Sequence, residues 1–94
     1  MTSTGTTSAS VFPSPAPGDL DLRGFTCPLP VLKTRRALGR AGFPVRLVVW
    51  TSDPLSGIDI PHFCASEGHR LHRTEKFASD AGPVFRFEIE KGAA

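Results

Sequence analysis

The chain has little cysteine, 2 residues in 94. One pair makes no disulfide framework, so stability must come from an apolar core. Long apolar runs are missing as well. No stretch approaches the roughly 20 residues of a membrane span, and the N-terminus lacks a run of signal-peptide length. Charge is missing from the first 18 residues, where Asp19 is the first charged side chain after the terminus. A mitochondrial transit segment would carry arginines there, and it has none. These absences predict a cytoplasmic protein with reduced thiols and no membrane association. Strong net charge is missing too. The balance of +2 is mildly basic, and without a clustered patch it does not mark a nucleic-acid binder.

What is present fits one small domain. A domain of this length buries only roughly 60% of its unfolded surface, so its chemistry belongs on the surface rather than in a deep pocket. Residues 1–18 are rich in Ser, Thr, Pro, Gly and Ala around Val11-Phe12, and such a stretch buries too little to offset its ordering entropy. We expect a disordered tail over 1–18 and the folded domain over 19–94. Leu20 and Leu22 alternate with Asp19 and Asp21 as a short strand that Gly24 ends. Val31, Thr34, Leu38 and Ala41 fall at helical spacing up to about Arg40, with Gly39, Gly42 and Pro44 as stops. Val45 to Trp50 reads as a central strand and Thr51 to Pro54 as a turn. Ser56 to Glu67 reads as a second helix, with Ser56 and Asp59 spaced as a capping box. Pro61 suits only a first turn, which would move the start to Asp59. Gly68 supplies the stop. Arg70 to Lys76 is a strand with Leu71 as its one apolar residue, Ala78 to Pro83 a loop, and Val84 to Glu90 a strand with Phe85, Phe87 and Ile89 on one side. The expected fold is α+β, a two-layer βαβαββ sandwich with two helices on one face of a four-stranded mixed sheet.

The chemistry centres on Cys27, in Arg23-Gly24-Phe25-Thr26-Cys27-Pro28-Leu29-Pro30. Proline favours the first helical position, so Pro28 marks Cys27 as an N-cap. There the helix dipole would lower the thiol pKa and raise the thiolate fraction. Pro30 has no N–H, which leaves the Leu29 N–H as the expected local donor to sulfur. Lys33, Arg35 and Arg36 would add positive potential. An ionised Cys27 would need no general base. The alternative is a small buried hydrophobe at a strand-to-helix junction.

In this pattern the chain resembles the TusA (SirA-like) sulfur-carrier family. The resemblance runs over nearly all of residues 19–92: Leu20 to Gly24, Cys27 to Val31 and the basic helix after it, Asp53-Pro54, Asp59 to Pro61, Phe63-Cys64, Gly68 to Leu71, and Lys91-Gly92. It departs in the long tail and in a longer loop around Ala78 to Pro83. The resemblance implies the same βαβαββ sandwich. It also implies that Cys27 accepts a sulfane sulfur as a persulfide and relays it. The donor would be a cysteine desulfurase or rhodanese-like protein. The acceptor would serve tRNA thiolation, molybdenum-cofactor proteins or sulfur oxidation. No cofactor is implied. A carrier is expected rather than a stand-alone enzyme, since no second nucleophile, base or cofactor motif accompanies Cys27.

Other residues have competing readings. Arg23, Lys33, Arg35, Arg36 and Arg40 could dock an acidic partner surface, bind RNA, or simply face solvent. No interleaved aromatic supports base stacking, so nucleic acid is expected as an indirect partner at most. A regulatory or RNA-binding module in which Cys27 is not used chemically is the alternative function. Cys64, beside Phe63, reads as core. His62, Cys64, His69 and His72 contain metal-ligand types, but His62 and Cys64 are off a common helix face and the other two lie past the helix end, so no metal is expected.

Overall fold

A computed structural model of the chain describes residues 14–40, 42 and 45–92. The elements follow in the order β1 (Leu20–Leu22), α1 (Leu29–Arg40), β2 (Arg46–Thr51), α2 (Ser56–Glu67), β3 (Arg70–Ser79) and β4 (Gly82–Glu90). The strands form one mixed sheet in the order β1-β2-β4-β3. β1 runs parallel to β2, with Leu20 opposite Val49 and Leu22 opposite Thr51. The β2–β4 and β3–β4 pairs are antiparallel. This is the expected sandwich. Leu38 of α1 and Ile60, Phe63 and Cys64 of α2 share a core with Leu22, Val49, Phe85, Phe87 and Ile89. Each such side chain contributes about 1.5–3 kcal/mol when fully buried.

The helical stripe predicted for α1 holds at Thr34 and Leu38, which are buried. Ala41, its last member, lies outside the described residues, as do Val11, Phe12 and Pro44. Of the segment expected to be a tail, 1–13 also lie outside. Residues 16–19 form a turn, in which Asp19 N–H donates to the Ala16 carbonyl (3.0 Å) and the Asp19 carboxylate accepts the Ala16 N–H (2.9 Å).

Three local expectations are corrected. The segment Ala78 to Pro83 is not a loop. β3 and β4 continue to Ser79 and from Gly82, and Asp80-Ala81 alone make the turn. Gly82 takes a φ of 119° there, a conformation glycine adopts without steric cost. β2 ends opposite Phe85, so Pro83 lies where one edge of β4 faces no strand, and its missing N–H breaks no ladder on that side. Next, Pro61 does not delay α2. The helix starts at Ser56 and carries Pro61 in its interior, giving up one helical N–H bond while Ile60, Phe63 and Cys64 bury its inner face.

The Ser56–Asp59 capping box does not form. The N-terminus of α2 has no side-chain cap of its own. Instead Asp53, just ahead of the helix, accepts the Leu55 N–H on Oδ1 (3.3 Å) and the Ser56 N–H on its carbonyl (2.9 Å). Asp59 is thereby free for another contact. At the far end α2 stops at Gly68, left-handed with φ 76°, as expected, while the His69 N–H closes on the Cys64 carbonyl at 2.9 Å.

Candidate functional site

The site is a loop held between two helix beginnings. After β1 the chain turns through Arg23-Gly24, and the Phe25 N–H returns to the Leu22 carbonyl (3.2 Å). The β2–α2 turn fastens this loop from across the sheet. Ser52 Oγ accepts the Gly24 N–H at 2.7 Å, and Asp53 Oδ2 accepts the Cys27 N–H at 2.7 Å. The Cys27–Pro28 peptide bond is cis. α1 then starts at Leu29, with Pro30 buried against the body of the protein and Leu29 exposed.

Cys27 is exposed. Its Sγ–H donates to Asp59 Oδ2 at 3.2 Å. Beside it lies a cleft of about 330 Å³ between the two helices, lined by Val31 and Arg35 from α1 and by Asp59, His62, Phe63 and Glu67 from α2, among others. The wall is mainly apolar. The one guanidinium in it, that of Arg35, is paired with Glu67 Oε2 at 2.7 Å.

This geometry corrects the expected electrostatics of Cys27. The Leu29 N–H does not reach the sulfur. It donates to the Thr26 carbonyl at 2.9 Å. The thiol pKa lies above its ordinary value, not below it. The hydrogen bond to Asp59 is the largest cause, followed by desolvation and then by the charges of Asp59 and Asp53. The dipole of α1 offers about half an elementary charge at its N-terminus. Because α1 begins at Leu29, Pro28 and not Cys27 takes the cap position, and the sulfur's direct contact is the Asp59 carboxylate.

Cys64 is buried on α2, and burial pushes its thiol up to about 11. Because alkylating agents attack thiolate, Cys64 should stay unmodified at pH 8 in folded protein while Cys27 reacts. Iodoacetamide labelling with and without urea, read by peptide mass, checks this, and equal labelling of both cysteines in folded protein would contradict it. The same burial gives a sign for stability. A pKa raised in the folded state contributes stability that is present below the unfolded thiol pKa and is lost as pH rises toward about 11.

The basic residues do not gather into one face. Arg35 lines the cleft beside Cys27, whereas Lys33, Arg36 and Arg40 line a second groove of about 310 Å³ with Leu20, Leu22 and Phe25 of the β1 side. Lys33 stands 4.7 Å above the Phe25 ring. Arg23 is bound to its neighbour Asp21, with Nε 2.8 Å from Oδ1. The histidines are also engaged separately. His62 Nε2 is 3.4 Å from Ser66 Oγ, His69 Nδ1 accepts the Gly92 N–H at 2.9 Å, and His72 contacts Glu90. Among the described residues no three His, Cys, Asp or Glu side chains converge as a metal site, and no helix is long and apolar enough to cross a membrane.

Sequence reasoning missed Asp53 and Asp59 as partners of Cys27, reading them as a turn residue and a cap. They stand 26 and 32 positions away from it, and only the sheet topology brings them together. The resemblance noted at Asp53-Pro54 and Asp59-Ile60-Pro61 is the signal in the sequence that points to them.

Fold and site together define a small two-layer protein whose surface chemistry is concentrated in one exposed thiol beside an interhelical cleft. The family model described as Sulfurtransferase TusA matches residues 18–91. Over 73 residues the chain is 30% identical to the candidate sulfur carrier YrkI of Bacillus subtilis (strain 168), covering 78% of this chain and 92% of that one. Among solved structures, a SirA-like protein from Desulfitobacterium hafniense superposes with a TM-score of 0.61 at 24% identity, covering 79% of this chain and 96% of that one, and so shares the fold. The chain belongs to the TusA sulfurtransferase family, a family of sulfur carriers that exchange sulfur with donor and acceptor partners.

Proposed function

We propose that Cys27, presented by the domain over residues 19–94, accepts a sulfane sulfur as a persulfide and relays it to an acceptor cysteine. The observation that carries this reading is the contrast between the two thiols. Cys27 is exposed at the rim of the cleft, and Cys64 is enclosed in the core. A protein donor can reach only the first.

Loading exchanges one sulfur–sulfur bond for another. A lone pair on Cys27 Sγ attacks the outer sulfur of the donor persulfide. The new bond forms there, and the old bond's electron pair leaves with the donor sulfur. The proton lost from Cys27 ends on the donor thiol, so nothing is oxidised or reduced overall. Handing the sulfur on repeats the step with Cys27 as the leaving group. Since the resting thiol is held by Asp59, deprotonation is part of the reaction and not already complete. A desulfurase or rhodanese-like protein is the donor in this scheme. The acceptor is a protein cysteine serving tRNA thiolation, molybdenum-cofactor assembly or sulfur oxidation, and the relay operates in the cytoplasm.

Incubation with a cysteine desulfurase and L-cysteine, followed by intact mass spectrometry, tests the assignment. The parent protein and Cys64→Ala should gain a reducible sulfur atom, and Cys27→Ser should gain none. A sulfur adduct on Cys27→Ser of the same size as the parent's would sink it.

A further inference from the structure

Around the thiol of Cys27 stands a particular set of titratable and charged groups. Asp59, Glu67 and His62 come from α2, Arg35 from α1, and Asp53 from the turn between β2 and α2. The sulfur itself touches one of them, Asp59, at 3.2 Å. Asp53 binds the peptide N–H of the same residue at 2.7 Å. The single arginine in the cleft is held by Glu67 rather than by either aspartate. A thiol meant to rest as an exposed thiolate would be set against donors and cations. Cys27 is set against two carboxylates, and the guanidinium in its cleft is paired with Glu67.

We propose that Asp59 sets the reactivity of Cys27. Its carboxylate takes the thiol hydrogen bond and keeps the sulfur protonated and turned toward α2 while the carrier is free, and replacement of that bond in a partner complex releases the nucleophile. Asp59 is a positioning residue, and the group that replaces its bond is a cation on the partner, the chemistry that would pair with Asp59 and reverse the local field. The proton is released through solvent to the departing donor thiolate, and the Cys27 thiolate left behind attacks as described above.

The purpose of this arrangement rests on the carrier reading. Oxidants and stray electrophiles attack thiolate, and an exposed carrier must reach its partner unmodified. The raised thiol pKa, with the Asp59 bond as its first cause, agrees with the geometry. Asp59 is also left available for the contact, because the Ser56 N–H that a capping box would give it is taken by the Asp53 carbonyl at 2.9 Å.

The test is the pH profile of Cys27 alkylation by iodoacetamide, read on the Cys27 peptide by mass spectrometry so that Cys64 does not contribute. Asp59→Asn keeps the side chain's size and an oxygen acceptor but removes the charge. Its midpoint should move to lower pH by about one unit, with roughly tenfold faster alkylation at neutral pH. A midpoint that stays, or moves to higher pH, overturns the proposal. A measurement on the parent protein is independent of how well the variant folds. The folded midpoint should lie above that of the same chain in urea, and a folded midpoint at or below the unfolded one also overturns the proposal. These readouts need no sulfur donor. A shifted profile together with no sulfur adduct would reject the carrier function and leave the role of Asp59 standing.

Discussion

Replacing Asp53 with alanine should lower folding stability by about 2–4 kcal/mol, since a hydrogen bond to a charged acceptor contributes about 1.5–3 kcal/mol and Asp53 makes two from its side chain, the second long and therefore weaker. It is a buried acid, 9% exposed, and it joins two parts of the chain that the sequence keeps far apart. Oδ2 holds the Cys27 N–H at 2.7 Å and Oδ1 the Leu55 N–H at 3.3 Å. Alanine leaves both donors without that acceptor, one in the sulfur loop and one at the start of α2. A domain of this size has only about 4–11 kcal/mol of stability in total, so the loss is a large share of it. Urea denaturation should show a lower midpoint at an unchanged slope. Asp53→Asn retains one acceptor oxygen and should lose about half as much. The two sulfur-facing aspartates then separate by experiment. Asp53→Ala should lower stability strongly, and Asp59→Asn should act mainly on the pH profile of Cys27. A midpoint for Asp53→Ala within error of the parent would show that the loop is not held through this carboxylate.

The distinction bears on what the sequence can reveal. Periodicity locates β4 from Phe85, Phe87 and Ile89, α1 from Thr34 and Leu38, and the central β2 from its β-branched run, because each depends on neighbours one to four residues away. It undervalues β3, an edge strand with little apolar pattern. That strand rests on cross-strand contacts, such as Glu75 with Arg86 at 3.0 Å and Lys76 over the Phe85 ring at 5.8 Å, which no local window contains. The same limit explains Cys27. Pro28 and Pro30 single out this loop, yet the sign of the thiol's pKa shift depends on Asp59, a residue on the other helix. A helix-dipole argument built on adjacent residues had no access to it. Local pattern thus located the exposed thiol but not the carboxylate beside it.

Trp50 is the chain's single tryptophan, and Trp50→Ala should cost about 3–5 kcal/mol, the usual loss for a buried aromatic truncated to alanine. That expectation is not obvious from its position. Trp50 pairs across the sheet with Arg86 and alternates with Val49, which faces the helices; it therefore projects from the helix-free face. Even so it is only 2% exposed. The Arg86 guanidinium lies 5.9 Å from the ring, Phe77 stacks at 6.1 Å, and the indole N–H donates to Asp19 Oδ2 at 2.9 Å. The last bond ties the turn at 16–19 to the sheet, since the same Asp19 oxygen also accepts the Ala16 N–H. Trp50→Phe should keep most of the packing and lose the indole donor, at about 1–2 kcal/mol. Asp19→Ala should cost a similar amount by removing the acceptor. If the indole–Asp19 bond is the shared cause, the double variant Trp50→Phe with Asp19→Ala should fall short of the sum of the two single losses. Far-ultraviolet circular dichroism in urea is the suitable probe, because the Trp50 variants have no tryptophan fluorescence to follow. A loss below about 1 kcal/mol for Trp50→Ala, far short of a buried aromatic's usual cost, would mean that the helix-free face is not a second, smaller core built on this ring.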